Sequence, residues 1–81
     1  MNIERIQLKG QLAESKSKYK NLDVEASALV ILIRSLLNPF EEDTAKLDTQ
    51  KALASMQRLN ELVIELKNLK SQIYKLEEYF E

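Results

Sequence analysis

The chain has 81 residues with 12 basic and 13 acidic side chains, a net charge of −1, and neither histidine nor cysteine. Without these two residue types it has no disulfide, no thiolate metal site and none of the usual bases at neutral pH, so we expect no enzyme activity and no catalytic, cofactor or metal site. One glycine and one proline in the whole chain favour long helices over strands and turns.

A first helix is predicted from about residue 3 to residue 37. Apolar and small residues recur there at alternating steps of four and three and form one stripe along the helix: Leu8, Leu12, Ser15, Tyr19, Leu22, Ala26, Leu29, Ile33 and Leu36. Gly10 marks either a frayed first turn or a close contact with another helix. The longest apolar run, residues 28–33, is far shorter than the ~20 residues of a membrane span. With the balanced charge, this favours a cytoplasmic protein with no membrane partner.

A connector is predicted at about residues 38–48. Pro39 ends the first helix because it biases Asn38 away from helical geometry. We expect Phe40 to fold back and close that end of the molecule, and the acidic stretch 41–46 to form a short helical turn. Asp48 should cap the next helix by accepting hydrogen bonds from its free backbone N–H groups.

A second helix is predicted at about residues 49–80, with a stripe of the same kind: Ala52, Ser55, Leu59, Leu62, Leu66, Leu69, Ile73, Leu76 and Phe80. Such a stripe is typical of a coiled coil and can only be buried against another helix. We therefore predict an all-α fold, a single antiparallel two-helix hairpin of the coiled-coil type. The two stripes together are called the seam.

The sizes of the seam residues predict which ones face each other. If facing residue numbers sum to 88, Leu22 meets Leu66, Ala26 meets Leu62, and every small residue meets a large one. A shift of one heptad toward the connector would set Ala26 against Ser55 and leave a void. Volume matching thus favours the sum of 88.

Charge supports the antiparallel arrangement coarsely. The first 22 residues hold five basic and two acidic groups, whereas the last 22 hold three basic and five acidic ones. Pair by pair the support is mixed. Lys9 can approach Glu77, but Lys16 is expected to approach Lys70 and Glu25 to approach Glu65. Exposed pairs contribute only ~0–1 kcal/mol, so these conflicts do not overturn the hairpin.

More apolar residues are present near the connector than one hairpin can bury. Val30, Leu37, Met56 and Val63 flank the seam on one side, and further apolar residues lie elsewhere around the helices: Val24, Ala28, Ile31, Leu32, Leu53 and Ile64. Either the connector folds over part of this surface, or two hairpins pack their closed-end halves into a four-helix bundle. We expect the second, a homodimer whose contact is made by Val30, Leu37, Met56 and Val63.

Two further groups of side chains have a possible binding role. Lys16, Lys18 and Lys20 make the first helix basic and are the candidates for contacts to phosphate, although a solvated surface is the favoured reading and nucleic acid is not an expected partner. Tyr74 and Tyr79 lie off the seam near the open end, where they suit either a partner contact or partial burial.

The connector also carries a distinctive order of residues. Asn38-Pro39-Phe40 is followed by acidic residues and then by Leu47-Asp48-Thr49, ahead of a long amphipathic helix. In this order, residues 33–81 resemble small all-helical proteins of Mu-like transposable phages and prophages. The resemblance implies an uncharacterised bacterial or prophage protein, with no family activity or active site to transfer.

Two functions are compatible with these features. The first is a non-enzymatic interaction or assembly protein that self-associates and binds a partner helix of a bacterial or phage protein. The alternative is a small nucleic-acid-associated regulator that uses the Lys-rich half of the first helix. The near-neutral net charge favours the interaction protein.

Overall fold

Two long helices make up almost all of the molecule. The computed structural model describes residues 3–80, with helix α1 at Ile3–Leu36, a 3₁₀ helix at Thr44–Lys46 and helix α2 at Thr49–Tyr79. No strand occurs in this part of the chain. Salt bridges near both the middle and the open end join α1 to α2 in antiparallel order. The predicted helical hairpin is confirmed, as a rod of 66 × 18 × 15 Å.

The predicted seam is the core of this rod. All nine seam positions on each helix are buried or partly buried. Ala26, Ala52, Leu62 and Leu69 are the most enclosed, and Leu62 is 0% exposed. Both members of the predicted facing pair, Ala26 and Leu62, are thus buried, and their facing each other stays a prediction.

The connector is ordered by short polar contacts. The Asn38 Oδ1 atom accepts a hydrogen bond from the Phe40 backbone N–H at 3.0 Å, and the Asn38 carbonyl accepts one from the N–H of Glu41 at 3.2 Å. Asp43 caps the 3₁₀ helix through the N–H of Ala45, so the acidic stretch does form the expected short helical turn.

The second helix starts where its capping residue predicts. Asp48 Oδ1 accepts a hydrogen bond from the Lys51 backbone N–H at 3.0 Å and is the N-cap of α2. A carboxylate at this position also complements the positive end of the helix dipole. The predicted helix start at Asp48 and Thr49 is therefore confirmed.

The expected position of Phe40 is wrong. Its side chain is 88% exposed and does not close the end of the hairpin. The Asn38 turn leaves Phe40 at the rim of an open groove that is also lined by Ile33 and Leu37. The partly buried apolar side chains at this end are Leu36 and Leu47.

Gly10 fits neither expectation. It lies within the continuous helix α1, so the first turn does not fray there. A Cβ atom built on Gly10 would have no neighbour within 4 Å, so no helix approaches it closely either. The glycine therefore weakens α1 locally without a packing role.

Aromatic side chains make contacts at the open end of the hairpin, where α1 begins and α2 ends. The rings of Tyr79 and Phe80 meet edge to face with centroids 5.0 Å apart. The guanidinium of Arg5 lies 5.3 Å from the centroid of the Phe80 ring, a cation–π distance. Because Arg5 is on α1, this contact ties the start of α1 to the end of α2.

Candidate self-association surface

The four flanking apolar residues lie on one side of the hairpin. Val30, Leu37, Met56 and Val63 each directly follow a seam residue, and we call them the strip. Because all four follow the seam by one residue, they lie on the same flank of the two-helix layer. Both helices thus contribute to one apolar face.

The strip is open to solvent in the single chain. Val30 is 41% exposed, Leu37 is 45% exposed and Met56 is 51% exposed, while Val63 is partly buried. The connector leaves them exposed, and its own Phe40 is 88% exposed. The account in which the connector shields this surface is therefore not realised in this structure.

Farther from the connector, the same flank is charged. Lys16 and Glu77 also directly follow seam residues, and the Lys16 Nζ atom lies 3.0 Å from Glu77 Oε1. Asp23 and Lys70 occupy the equivalent positions between this salt bridge and the strip. This flank, called the strip flank below, is apolar toward the connector and charged toward the open end.

The opposite flank is held by a polar cluster. The Arg58 Nε and Nη2 atoms donate to the Glu25 carboxylate at 2.8 and 3.2 Å, and Nη1 donates to Glu61 at 3.4 Å. The side-chain hydrogen bond to Arg58 lowers the pKa of Glu25, and the same contact raises the pKa of Arg58. Both side chains are nearly half exposed, so this cluster orients the helices more than it stabilises them.

The expected charge pairs were wrong. Lys16 contacts Glu77 rather than Lys70, and Glu25 contacts Arg58 rather than Glu65. In both cases the observed and expected partners are one heptad apart on α2, and a long flexible side chain can extend to the oppositely charged one. The flanks therefore support the antiparallel hairpin more strongly than a comparison of residues at the same height suggested.

Other exposed apolar side chains lie away from the strip. Val24, Ile31 and Ile64 are 65%, 70% and 52% exposed, and each stands two residues before a seam residue. That position is on the outer face of its helix, roughly opposite the seam. Because they face away from the strip, these residues provide matched controls for it.

The three candidate lysines do not form one patch. Lys16 and Lys20 lie only about 40° apart around α1, but Lys18 is about 160° from both. Lys16 is also paired with Glu77. The structure therefore places Lys16 on the strip flank and Lys18 on the opposite flank, separated by the seam.

Comparisons with known proteins add no relative to this picture. No family model, curated protein or solved structure matches the chain. Within residues 3–80, neither helix combines the length and apolar character needed to cross a bilayer. The same residues contain no group of three or more acidic side chains arranged to hold a metal ion. Functional inference therefore rests on the strip and the flanks.

Proposed function

We propose that the protein is a non-enzymatic helical interaction protein that works by self-association. The observation that carries this proposal is the strip, in which large apolar side chains from both helices share one solvent-facing flank. Contiguous apolar surface on a small soluble domain usually marks an interface. A second hairpin placed on the strip gives a homodimeric four-helix bundle.

Of the two flanks of the hairpin, the strip flank suits such a contact better. The opposite flank carries the charge cluster of Arg58, Glu25 and Glu61, which would lose hydration if a second layer covered it. The four side chains of the strip carry no charge themselves. Self-association on the strip also leaves the outer faces of both hairpins accessible to a partner helix of a bacterial or phage protein.

The resemblance to proteins of Mu-like phages and prophages bears on where this interaction protein acts. It favours a protein encoded in a prophage and acting in the bacterial cytoplasm. The resemblance covers residues 33–81, which include the strip residues Leu37, Met56 and Val63. The partner is then a phage or host protein that contacts the assembled dimer.

The nucleic-acid alternative gains no support from the lysines. A phosphate backbone is bound by basic groups that lie along one face. Lys18 lies on the far side of the seam from Lys16, and Lys16 is already neutralised by Glu77. A titration with duplex DNA at several salt concentrations tests this alternative. Binding that weakens steeply with salt and is lost in the Lys16→Glu and Lys18→Glu variants would reverse the ranking.

Sedimentation at micromolar concentration tests self-association directly. The Val30→Glu and Met56→Glu double variant should be monomeric with a lower melting temperature, whereas the wild-type chain should be a dimer. A double variant with Val24→Glu and Ile64→Glu is the matched control. It changes the net charge equally on the same two helices, and Ile64 is as exposed as Met56, at 52% against 51%.

The control variant should remain dimeric because its substitutions lie outside the strip. Equal loss of the dimer in both variants would show that added charge, rather than the strip, controls association. A wild-type chain that is a stable, fully folded monomer at micromolar concentration would overturn the proposal.

A further inference from the structure

We infer that the second copy lies alongside the first with both connectors at the same end, related by a two-fold axis parallel to the rod. This inference rests on the self-association proposed above and specifies its geometry. It follows from the strip flank as a whole, since that flank continues from the strip to the salt bridge of Lys16 and Glu77. In this arrangement α1 of each copy faces α2 of the other, and the two run antiparallel.

The apolar half of the flank fits this symmetry. The axis keeps every residue at its height along the rod. The strip-flank residues on α1 of one copy therefore face the strip-flank residues on α2 of the other copy. Val30 and Leu37 of one copy then meet the partner's Met56 and Val63, because all four lie in the half next to the connector. Apolar surface is buried against apolar surface over the length of the strip.

The charged half fits as well. Asp23 on α1 and Lys70 on α2 have opposite signs and the same position relative to the seam. Across residues 3–80 the structure shows an ion pair for Lys16 and Glu77 but none for Asp23 or Lys70. Because α1 of each copy faces α2 of the other, Asp23 of each copy approaches the partner's Lys70. Two charges that are unpaired in the single hairpin thereby gain partners at the border of the strip.

Arrangements in which the two copies point in opposite directions fit the charges of the strip flank less well. If the copies overlapped along their whole length in opposite directions, the charged half of one would cover the strip of the other. If they overlapped only at the connector ends, the strip would be buried but Asp23 and Lys70 would stay unpaired. Charge complementarity along the full flank therefore favours the side-by-side copy.

The maximum dimension of the dimer in solution separates fully overlapped copies from copies that overlap only at their connector ends, and the charge substitutions below test the direction. Small-angle X-ray scattering on the dimer should give a value near the 66 Å length of one hairpin. Overlap of the connector ends alone would give about 100 Å or more, because each strip spans only about two heptads at 1.5 Å per residue. A maximum dimension in that longer range would overturn the side-by-side arrangement and leave the strip as the contact.

A mixing experiment tests the residue pairs. In the Asp23→Lys chain and in the Lys70→Asp chain, like charges meet twice across the interface. Each homodimer should therefore dissociate about tenfold more readily than wild type. Mixed in equal amounts, the two chains should form a dimer with one copy of each, detected by native mass spectrometry. Repulsion within a chain is unchanged by mixing, so the rescue reports contacts between chains.

The Glu14→Lys and Lys75→Asp chains are the matched control pair, since both residues line a groove on the other flank. These chains should dimerise like wild type and mix without preference. Circular dichroism on each chain confirms that the helices are retained. If the Asp23 and Lys70 substitutions leave dimerisation unchanged while Val30→Glu with Met56→Glu abolishes it, this inference is wrong and the proposed function stands. A monomeric wild-type chain overturns both.

Discussion

Leu62 is the side chain on which the stability of the hairpin should depend most. It is 0% exposed and its predicted neighbour across the seam, Ala26, is too small to fill a space left behind. Leu62→Ala removes three carbon atoms, or about 2.4 kcal/mol at ~0.8 kcal/mol for each buried methylene group. The residual cavity adds to this loss, so we expect the free energy of unfolding to fall by ~3–5 kcal/mol.

Thermal and urea unfolding followed by far-ultraviolet circular dichroism measure this loss. The melting temperature should fall by more than about 10 °C, since 1 kcal/mol corresponds to ~4–8 °C in a domain of this size. Ile64→Ala is the matched control. It removes the same three carbons from the same helix at a side chain that is 52% exposed, and its effect should stay within about 0.5 kcal/mol.

Both variants should be compared at one protein concentration, because association raises the apparent stability of the folded chain. A loss of less than about 1 kcal/mol for Leu62→Ala, or equal losses for Leu62→Ala and Ile64→Ala, would contradict the seam as the structure has it.

Three further outcomes follow from the same structure. Leu22→Ala and Leu66→Ala should each destabilise the fold by ~2–5 kcal/mol in urea unfolding, and losses below ~1 kcal/mol at both would refute the facing pair. Gly10→Ala should raise the stability by ~0.5–1 kcal/mol because the site is helical with open space around it; no gain would contradict that environment. Arg58 lowers the pKa of Glu25 below its usual 4.5, so the Glu25 carboxylate stabilises the fold above that pH and loses its effect as the pH falls through the lowered pKa. The stability difference between wild type and Glu25→Gln should therefore vanish in acid, and a difference that grows below pH 4.5 would refute the sign.

The period of the apolar residues was enough to predict the fold. Steps of three and four over nine positions on each helix leave one way to bury both stripes, and Pro39 separates them. The cap at Asp48 was equally predictable, because a carboxylate before a helix has a local partner in the next backbone N–H groups. These features depend on neighbours in sequence or on a repeated pattern.

Features that depend on the position of a single side chain were not predictable from the sequence. Phe40 continues the apolar spacing, but it follows the Asn38 turn and is 88% exposed, and spacing alone does not show where a turn leaves the helix axis. The charge pairs failed for a related reason, since residue numbers alone do not show that the long Lys16 side chain extends to Glu77. The strip was predicted from its residues, but its continuity with the charged half of the flank required the structure.

The strip also sets a limit on the dimer it can form. Val30, Leu37 and Met56 each leave about half of the side chain in water, at 41%, 45% and 51%. Full burial of a large apolar side chain is favourable by ~1.5–3 kcal/mol, so these three contribute ~2–4 kcal/mol in each copy and ~4–8 kcal/mol in a dimer.

Association opposes this gain with a loss of free motion that amounts to ~4–15 kcal/mol. The strip alone therefore roughly cancels that loss, whereas a dimer that persists at micromolar concentration needs a net of about −8 kcal/mol. The difference has to come from surface outside the strip. A contact limited to the connector ends has little such surface, but a side-by-side contact extends to the charged half of the flank and adds the pairs of Asp23 with the partner's Lys70. Persistence of the dimer at micromolar concentration, if observed, would thus itself favour the side-by-side arrangement over overlap of the connector ends.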